Sequence, residues 1–383
     1  MKKILAMVLT ALSVAVSAGT TAKNIVRASN DLTIKSEAAY LTDYNSGEVI
    51  YSKNETKRLP IASMTKLMLL NLCFEKLDEG EYSLSDEIVV SKRASGMGGS
   101  QVFLEANRAY KAAELIKSIV VASANDASVA MAEMLYGSEE SCVDEMNAKA
   151  TEWNLNDTLF SNCTGLPKPT QYSCAKDVAV MLKNLVKHDE YFTFSRIWTD
   201  EIDHGDRKTE ITNTNKLVKF YEGCDGGKTG YTSESGFCLA GTAKRGNMRL
   251  IAVVIKGENS KSRFADVSSA FNYGFDNYVC KTALDNEKNL GITVKAEKGV
   301  KSSVKMRPKE DVFVFTAKND KSDIVIDFKP ANKIKAPIRT GDVLGELIVY
   351  KNGVETGRTK AVAAESVEKK TYFDYVRDVA ARW

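Results

Sequence analysis

The order of apolar and polar positions divides the 383-residue chain into stretches of different texture. It opens with Lys2 and Lys3, an apolar run over residues 4–16 and the small-residue end Val16-Ser17-Ala18. That layout predicts a secretory signal peptide over residues 1–18, with cleavage after Ala22 also compatible. The run is shorter than the roughly 20 apolar residues that span a bilayer, and no later run is long and apolar enough to do so. Helical periodicity follows over residues 112–135 and 175–186, mixed with strand-like segments such as residues 38–44 and 250–255. Residues 64–74 are apolar on nearly every side, broken only by Thr65, Lys66 and Asn71, which predicts a helix in the middle of a domain.

The texture changes near residue 281. Residues 312–316, 324–328 and 347–350 alternate as strands do, and Lys351-Asn352-Gly353 has the chemistry of a tight hairpin turn. A chain of this length exceeds the usual single-core size of about 250–300 residues, so two domains are expected. The predicted layout is a catalytic-type α+β domain over 31–281, a small all-β domain over 282–365, and a tail helix over 366–383. The tail sets Tyr372, Phe373, Val376, Val379, Ala380 and Trp383 near one helical face. Lys369, Lys370, Arg377 and Arg382 outnumber Asp374 and Asp378 there. That pattern suits a helix lying in a lipid interface, and it also suits a terminal helix docked on the β domain.

Charge and composition narrow the chemistry. Without the predicted leader, 51 basic residues face 50 acidic ones (53 less Lys2 and Lys3), and such balance points to no nucleic-acid partner. Seven cysteines cannot all pair within one exported chain. Cys73 in an apolar helix and Cys238 in a buried strand read as small hydrophobes. The two histidines, His188 and His204, sit in polar runs of loop character, in neither a metal-ligand nor a nucleophile–base pattern. No metal and no cofactor are expected, and a serine enzyme built on this chain must use lysine as its base.

Three strings carry that chemistry. In Ser63-Met64-Thr65-Lys66, a spacing of three at the first turn of an apolar helix lets the two functional side chains meet. Desolvation lowers a lysine pKa, and the helix N-terminus favours negative charge developing beside Ser63. Taken alone, the string fits better an N-capping serine followed by a snorkelling lysine; the two further strings shift the balance. Ser123-Ala124-Asn125 falls between two periodic stretches, so both polar side chains can face a cleft from a helix-to-helix connection; turn and capping chemistry is the alternative. Lys228-Thr229-Gly230 begins a run of adjacent antiparallel strands, where a lysine, a hydroxyl and a bare edge could hold a peptide ending in a carboxylate.

With all three strings in this order, the chain resembles the low-molecular-mass penicillin-binding proteins that are serine-type D-alanyl-D-alanine carboxypeptidases. The likeness extends to residues 41–51, 57–66, 121–127, 160–167 and 172–177. It implies a β-lactamase-like catalytic domain, an antiparallel sheet flanked by helices, followed by a β-sandwich-like domain. By that resemblance Ser63 attacks the carbonyl between two terminal D-alanines, Lys66 takes its proton, and the amides of Ser63 and Tyr231 stabilise the oxyanion. Ser123 and Lys228 relay the proton to the leaving D-alanine, Asn125 holds the peptide, and Thr229, Gly230 and Arg263 line the place of its terminal carboxylate.

The implied partners are the peptidoglycan stem peptide and β-lactams as covalent inhibitors. The implied location is the outer face of the cytoplasmic membrane, reached through the tail helix. Two positions depart from the family pattern: Tyr231 stands where many members carry histidine, and Cys174 where threonine is common. A β-lactamase-like hydrolase is the nearest rival, because Glu152-Trp153-Asn154-Leu155-Asn156 imitates the string that supplies its deacylating glutamate. The surrounding residues and the second domain speak against it. A receptor that acylates without turnover is the other alternative.

Overall fold

The computed structural model describes residues 32–288, 290–331 and 333–380. The expected signal peptide, and the last three residues of the expected tail helix, lie outside the described residues.

A five-stranded antiparallel sheet organises the first domain. Its strands are β1 (Ala38–Asp43), β2 (Val49–Lys53), β3 (Cys224–Thr232), β4 (Gly236–Arg245) and β5 (Met248–Gly257), in the order β2-β1-β5-β4-β3. Both faces of β5 are covered, which is why residues 250–255 read as an unbroken apolar run rather than an alternating one. Ile251, Val253 and Ile255 join the larger core, while Leu250, Ala252 and Val254 join the smaller one on the opposite face.

The larger core holds α1 (Lys66–Asp78), α2 (Asn125–Tyr136) and α3 (Ala175–Leu185). Leu67, Met68, Leu69, Leu70 and Leu72 of α1 are all buried, as its all-round apolarity predicts. The smaller core is closed by α4 (Ser260–Asn277), whose N-terminus carries a reciprocal capping box between Asn259 and Ser262. The expected helical stretch over 112–135 is interrupted. Ala112–Lys117 gives way to a wide π turn, Ser118–Ala122, and α2 starts only after Ser123 and Ala124.

Beyond the catalytic domain, strand Tyr278–Leu284 pairs antiparallel with Val312–Ala317. This ribbon crosses the boundary expected at 281/282. Tyr278 and Cys280 pack in the smaller catalytic core with Phe315, whereas Leu284 packs in a third core. That third core lies between the ribbon and a five-stranded sheet ordered Thr293–Lys295, Ser303–Pro308, Val354–Ala363, Val343–Lys351, Ile324–Pro330. The predicted hairpin is present: Lys351 pairs with Val354, and Asn352 and Gly353 adopt φ of 50° and 78°.

The tail forms α5 (Tyr372–Ala380), and none of its residues is buried. No helix among the described residues is long and apolar enough to cross a membrane.

The contact between α4 and the sheet is tight enough to be tested. A Cβ on Gly274 would lie 2.5 Å from Leu250 Cδ1. Gly274→Val should overpack this seam and cost about 1–3 kcal/mol, read as a lower denaturant midpoint of unfolding.

Candidate active site

The nucleophile segment is forced into an uncommon backbone. Ala62 adopts φ 47°, strained for a residue with a Cβ, and Ala62–Thr65 then forms a single 3₁₀ turn that feeds α1. Residues three apart eclipse in such a turn, so Ser63 and Lys66 share one side. Lys66 is fully buried, and its Nζ donates to Ser63 Oγ (3.1 Å), Asn125 Oδ1 (2.7 Å) and the Thr164 carbonyl (2.5 Å). All three acceptors are neutral. Burial pulls the Lys66 ammonium down to about 7, against smaller upward pulls from Cys163 and Asp126.

Asn125 and Ser123 come from the junction between the π turn and α2. Ser123 adopts the left-handed conformation (φ 63°, ψ 30°), which ends the π turn and lets α2 begin in a new direction. Asn125 grips a loop as well as the lysine: its backbone N–H donates to Ser100 O at 2.7 Å and its Nδ2 to Gly98 O at 2.6 Å. The neighbouring Asp126 carboxylate holds the same loop further on, accepting from the amides of Val102 and Leu104. Ser123 is buried, but among the described residues its hydroxyl makes no hydrogen bond to Lys66, Asn125 or Lys228.

Strand β3 forms the opposite wall. It is an edge of the sheet whose one strand partner among the described residues is β4, and near its start Gly227 N donates to Tyr191 Oη at 2.9 Å. Gly230 makes the approach possible: a Cβ there would sit 2.6 Å from Ile61 O and 3.2 Å from Ser63 N. Lys228 is fully buried, and its Nζ donates to Thr229 O at 3.1 Å. Burial, and then the charges of Lys66 and Arg263, hold it well below the ordinary lysine range. Thr229 is buried beside it, whereas the Tyr231 side chain is exposed, with its ring 4.3 Å from that of Phe237.

Arg263, expected beside Thr229 at the place of the substrate carboxylate, also makes backbone contacts that the sequence reading did not include. It rises from the first turn of α4, and its Nη1 donates to Gly230 O (3.0 Å) and Cys238 O (3.3 Å). The guanidinium thus ties β3 to β4, and its buried Nε has no partner. Arg263 brings positive charge to one end of the cleft, beside the two lysines whose charge burial disfavours, an arrangement suited to an anionic peptide terminus.

Several contributors had no role assigned from sequence. Asn162 Oδ1 accepts from the amides of Thr164 and Gly165, which fixes the Thr164 carbonyl against Lys66. Gly165 is required at φ 85°, because its Cβ would lie 2.0 Å from Ala62 O. Both fall in the segment 160–167, whose wording resembled the family but which carried no named chemistry. The Cys174 departure keeps a capping role, since its Sγ accepts the Asp177 amide at 3.4 Å at the start of α3.

Other candidates stand apart from the site. Glu152 lies on the surface at the end of helix Glu139–Glu152, paired with Lys149 at 3.0 Å. All seven cysteines are unpaired and buried. His188 pairs with Asp78, and the fully buried His204 is hydrogen-bonded to Tyr110 and Thr209. No metal-ligating cluster occurs among the described residues.

Known proteins resemble this chain in sequence and fold. Residues 24–259 match the D-alanyl-D-alanine carboxypeptidase peptidase family, and residues 285–369 match the C-terminal domain of penicillin-binding protein 5. D-alanyl-D-alanine carboxypeptidase DacF of Bacillus subtilis is 38% identical over 94% of this chain and 93% of its own length. DacC of Escherichia coli is 30% identical over 90% and 87% respectively. The crystal structure of penicillin-binding protein 5 from Haemophilus influenzae superposes with a TM-score of 0.71 at 27% identity, covering 89% of this chain and all of that one. Motifs, fold and full-length similarity therefore agree, and the chain belongs to the serine-type D-alanyl-D-alanine carboxypeptidase family.

Proposed function

We propose that this protein removes the terminal D-alanine from peptidoglycan stem peptides through an acyl-enzyme on Ser63. The observation that carries the proposal is a fully buried lysine, tuned to about 7 and 3.1 Å from the serine hydroxyl. As Ser63 Oγ bonds to the carbonyl carbon of the D-Ala-D-Ala link, Lys66 Nζ takes its proton. The amides of Ser63 and Tyr231 receive the developing oxyanion. Collapse breaks the C–N bond, and a proton passes through Ser123 and Lys228 to the departing amine. Water then cleaves the ester and restores Ser63.

Thr229, with the positive charge of Arg263, favours a substrate that ends in a carboxylate. Asn125, fixed at the loop 98–100, is placed to hold the peptide. Penicillins present a strained amide and a carboxylate to the same groups, and they would stop at the acyl stage.

The location follows from the two ends of the chain. The leader exports the protein, and α5 lies along the outer membrane surface with Tyr372, Phe373, Val376 and Val379, all exposed, in the lipid. The ion pairs Lys370–Asp378 and Arg377–Asp374 keep part of its polar face engaged.

Three experiments test these assignments. With a muramyl-type peptide ending in D-Ala-D-Ala, the wild type should release free D-alanine and Ser63→Ala should release none above background. Lys66→Ala should lose roughly 10²–10⁴-fold in kcat/KM, as expected for a general base. Labelling by penicillin with no release of D-alanine from the peptide would instead mark a receptor.

The pH profile has a definite sign. Lys66 works unprotonated, so kcat/KM should fall about tenfold per unit below a pKa near 7 and level off above it. An acid limb near 9 to 10, where an ordinary lysine titrates, would contradict the assignment. Removing residues 366–383 should release the protein from membranes in a flotation assay while leaving D-alanine release intact.

A further inference from the structure

The five-stranded sheet of the β domain ends in a strand, Ile324–Pro330, whose one strand partner among the described residues is Val343–Lys351. Which of its main-chain groups face outward follows from two hydrogen bonds at its flanks. Asn352 N donates to Asp323 O (3.2 Å) and Ala331 N to Leu344 O (2.9 Å). Continued in register, the main chain of Val325, Asp327 and Lys329 turns toward the neighbouring strand. That of Ile324, Ile326 and Phe328 turns to the open edge. Pro330 falls at the next outward position, where the missing N–H ends the row.

This edge is not shielded by burial. Val325 and Ile326 are 56% and 40% exposed, and Asp323, Asp327 and Lys329 are all exposed. Ile324 and Phe328 rest against the third core, so Ile326 between them is an apolar position on the core face that the sheet stops too early to cover.

We infer that the edge strand Ile324–Pro330 pairs antiparallel with the same strand of a second copy of this chain, about a two-fold axis through Ile326. The charge pattern selects that register. Centred on Ile326, the pairing sets Ile324 opposite Phe328, with outward main-chain groups facing each other, and sets Asp323 opposite Lys329 on both sides of the axis. Sliding by two residues in one direction places Asp323 opposite Asp327 twice. Sliding the other way places Asp327 opposite its own copy and Pro330, which has no N–H, opposite Ile324. Slides by one residue set outward groups against inward ones and form no ladder. The favoured pairing continues the sheet from one copy into the next and covers both Ile326 side chains.

Register-specific cross-linking of the whole chain tests this. Val325 faces Asp327 of the other copy as a non-hydrogen-bonded pair, with Cα atoms about 4.5 Å apart, inside the disulfide range. Under mild oxidation, a mixture of the Val325→Cys and Asp327→Cys proteins should form dimers several-fold more than either protein alone. The native cysteines are buried and do not compete.

Sedimentation velocity supplies the second readout, at roughly 0.1–1 mM because an edge this short falls below the standard interface size. Lys329→Asp should lower the dimer fraction, and Asp323→Lys in the same chain should restore it. Val325→Cys cross-linking as well with itself, a mixture that does not cross-link, or a charge-reversed protein that sediments like the wild type would each overturn the pairing. A dimer held by the tail helix would show as association indifferent to both charge changes, and would equally overturn it.

Discussion

The site depends on removing one ammonium group from water without giving it an acid. Lys66 is wholly enclosed by the core that packs α1, α2 and α3, and each of its three hydrogen-bond partners is neutral. A carboxylate in contact would have restored the charge and pushed the pKa back up. Asp126, the nearest acid in sequence to Asn125, is instead occupied by the backbone amides of Val102, Leu104 and Ala127. Its upward pull on the lysine is smaller than the effect of burial, and the lysine keeps the lowered pKa that a base at neutral pH requires.

A second constraint is how closely backbones must meet around Ser63. Gly165 and Gly230 approach the Ile61–Ser63 segment from two elements, each at a distance that excludes a Cβ. The strain of Ala62 in the left-handed region is held in place by these contacts. Arg263 completes the clamp by binding the carbonyls of Gly230 and Cys238, which sets the height of β3 against the nucleophile turn. The same guanidinium thus supports the wall of the cleft and adds positive charge behind it.

Each of the two five-stranded sheets ends in an edge strand, and the two edges differ in kind. Strand β3 shows the cleft a buried lysine and a glycine, which invite a short peptide backbone to lie alongside. Strand Ile324–Pro330 shows solvent an apolar centre flanked by opposite charges, which invites a strand of matching charge order.

Local chemistry was legible in the residues alone. The three-residue spacing of Ser63 and Lys66, the apolar wrapping of α1, the strand over residues 250–255, the hairpin at Asn352-Gly353 and the amphipathic face of α5 follow from periodicity and from what glycine, asparagine and lysine do physically. Distances across the chain did not follow. Thr164 reaches Lys66 from 98 positions away, Asn125 from 59, and Arg263 turns toward carbonyls rather than toward open space. Those placements depend on how helices and sheet pack, and packing is decided by the whole core at once rather than by any stretch of sequence. The sequence determined which groups the site could use; only the tertiary structure decided which would meet, because burial and close approach belong to the assembled core.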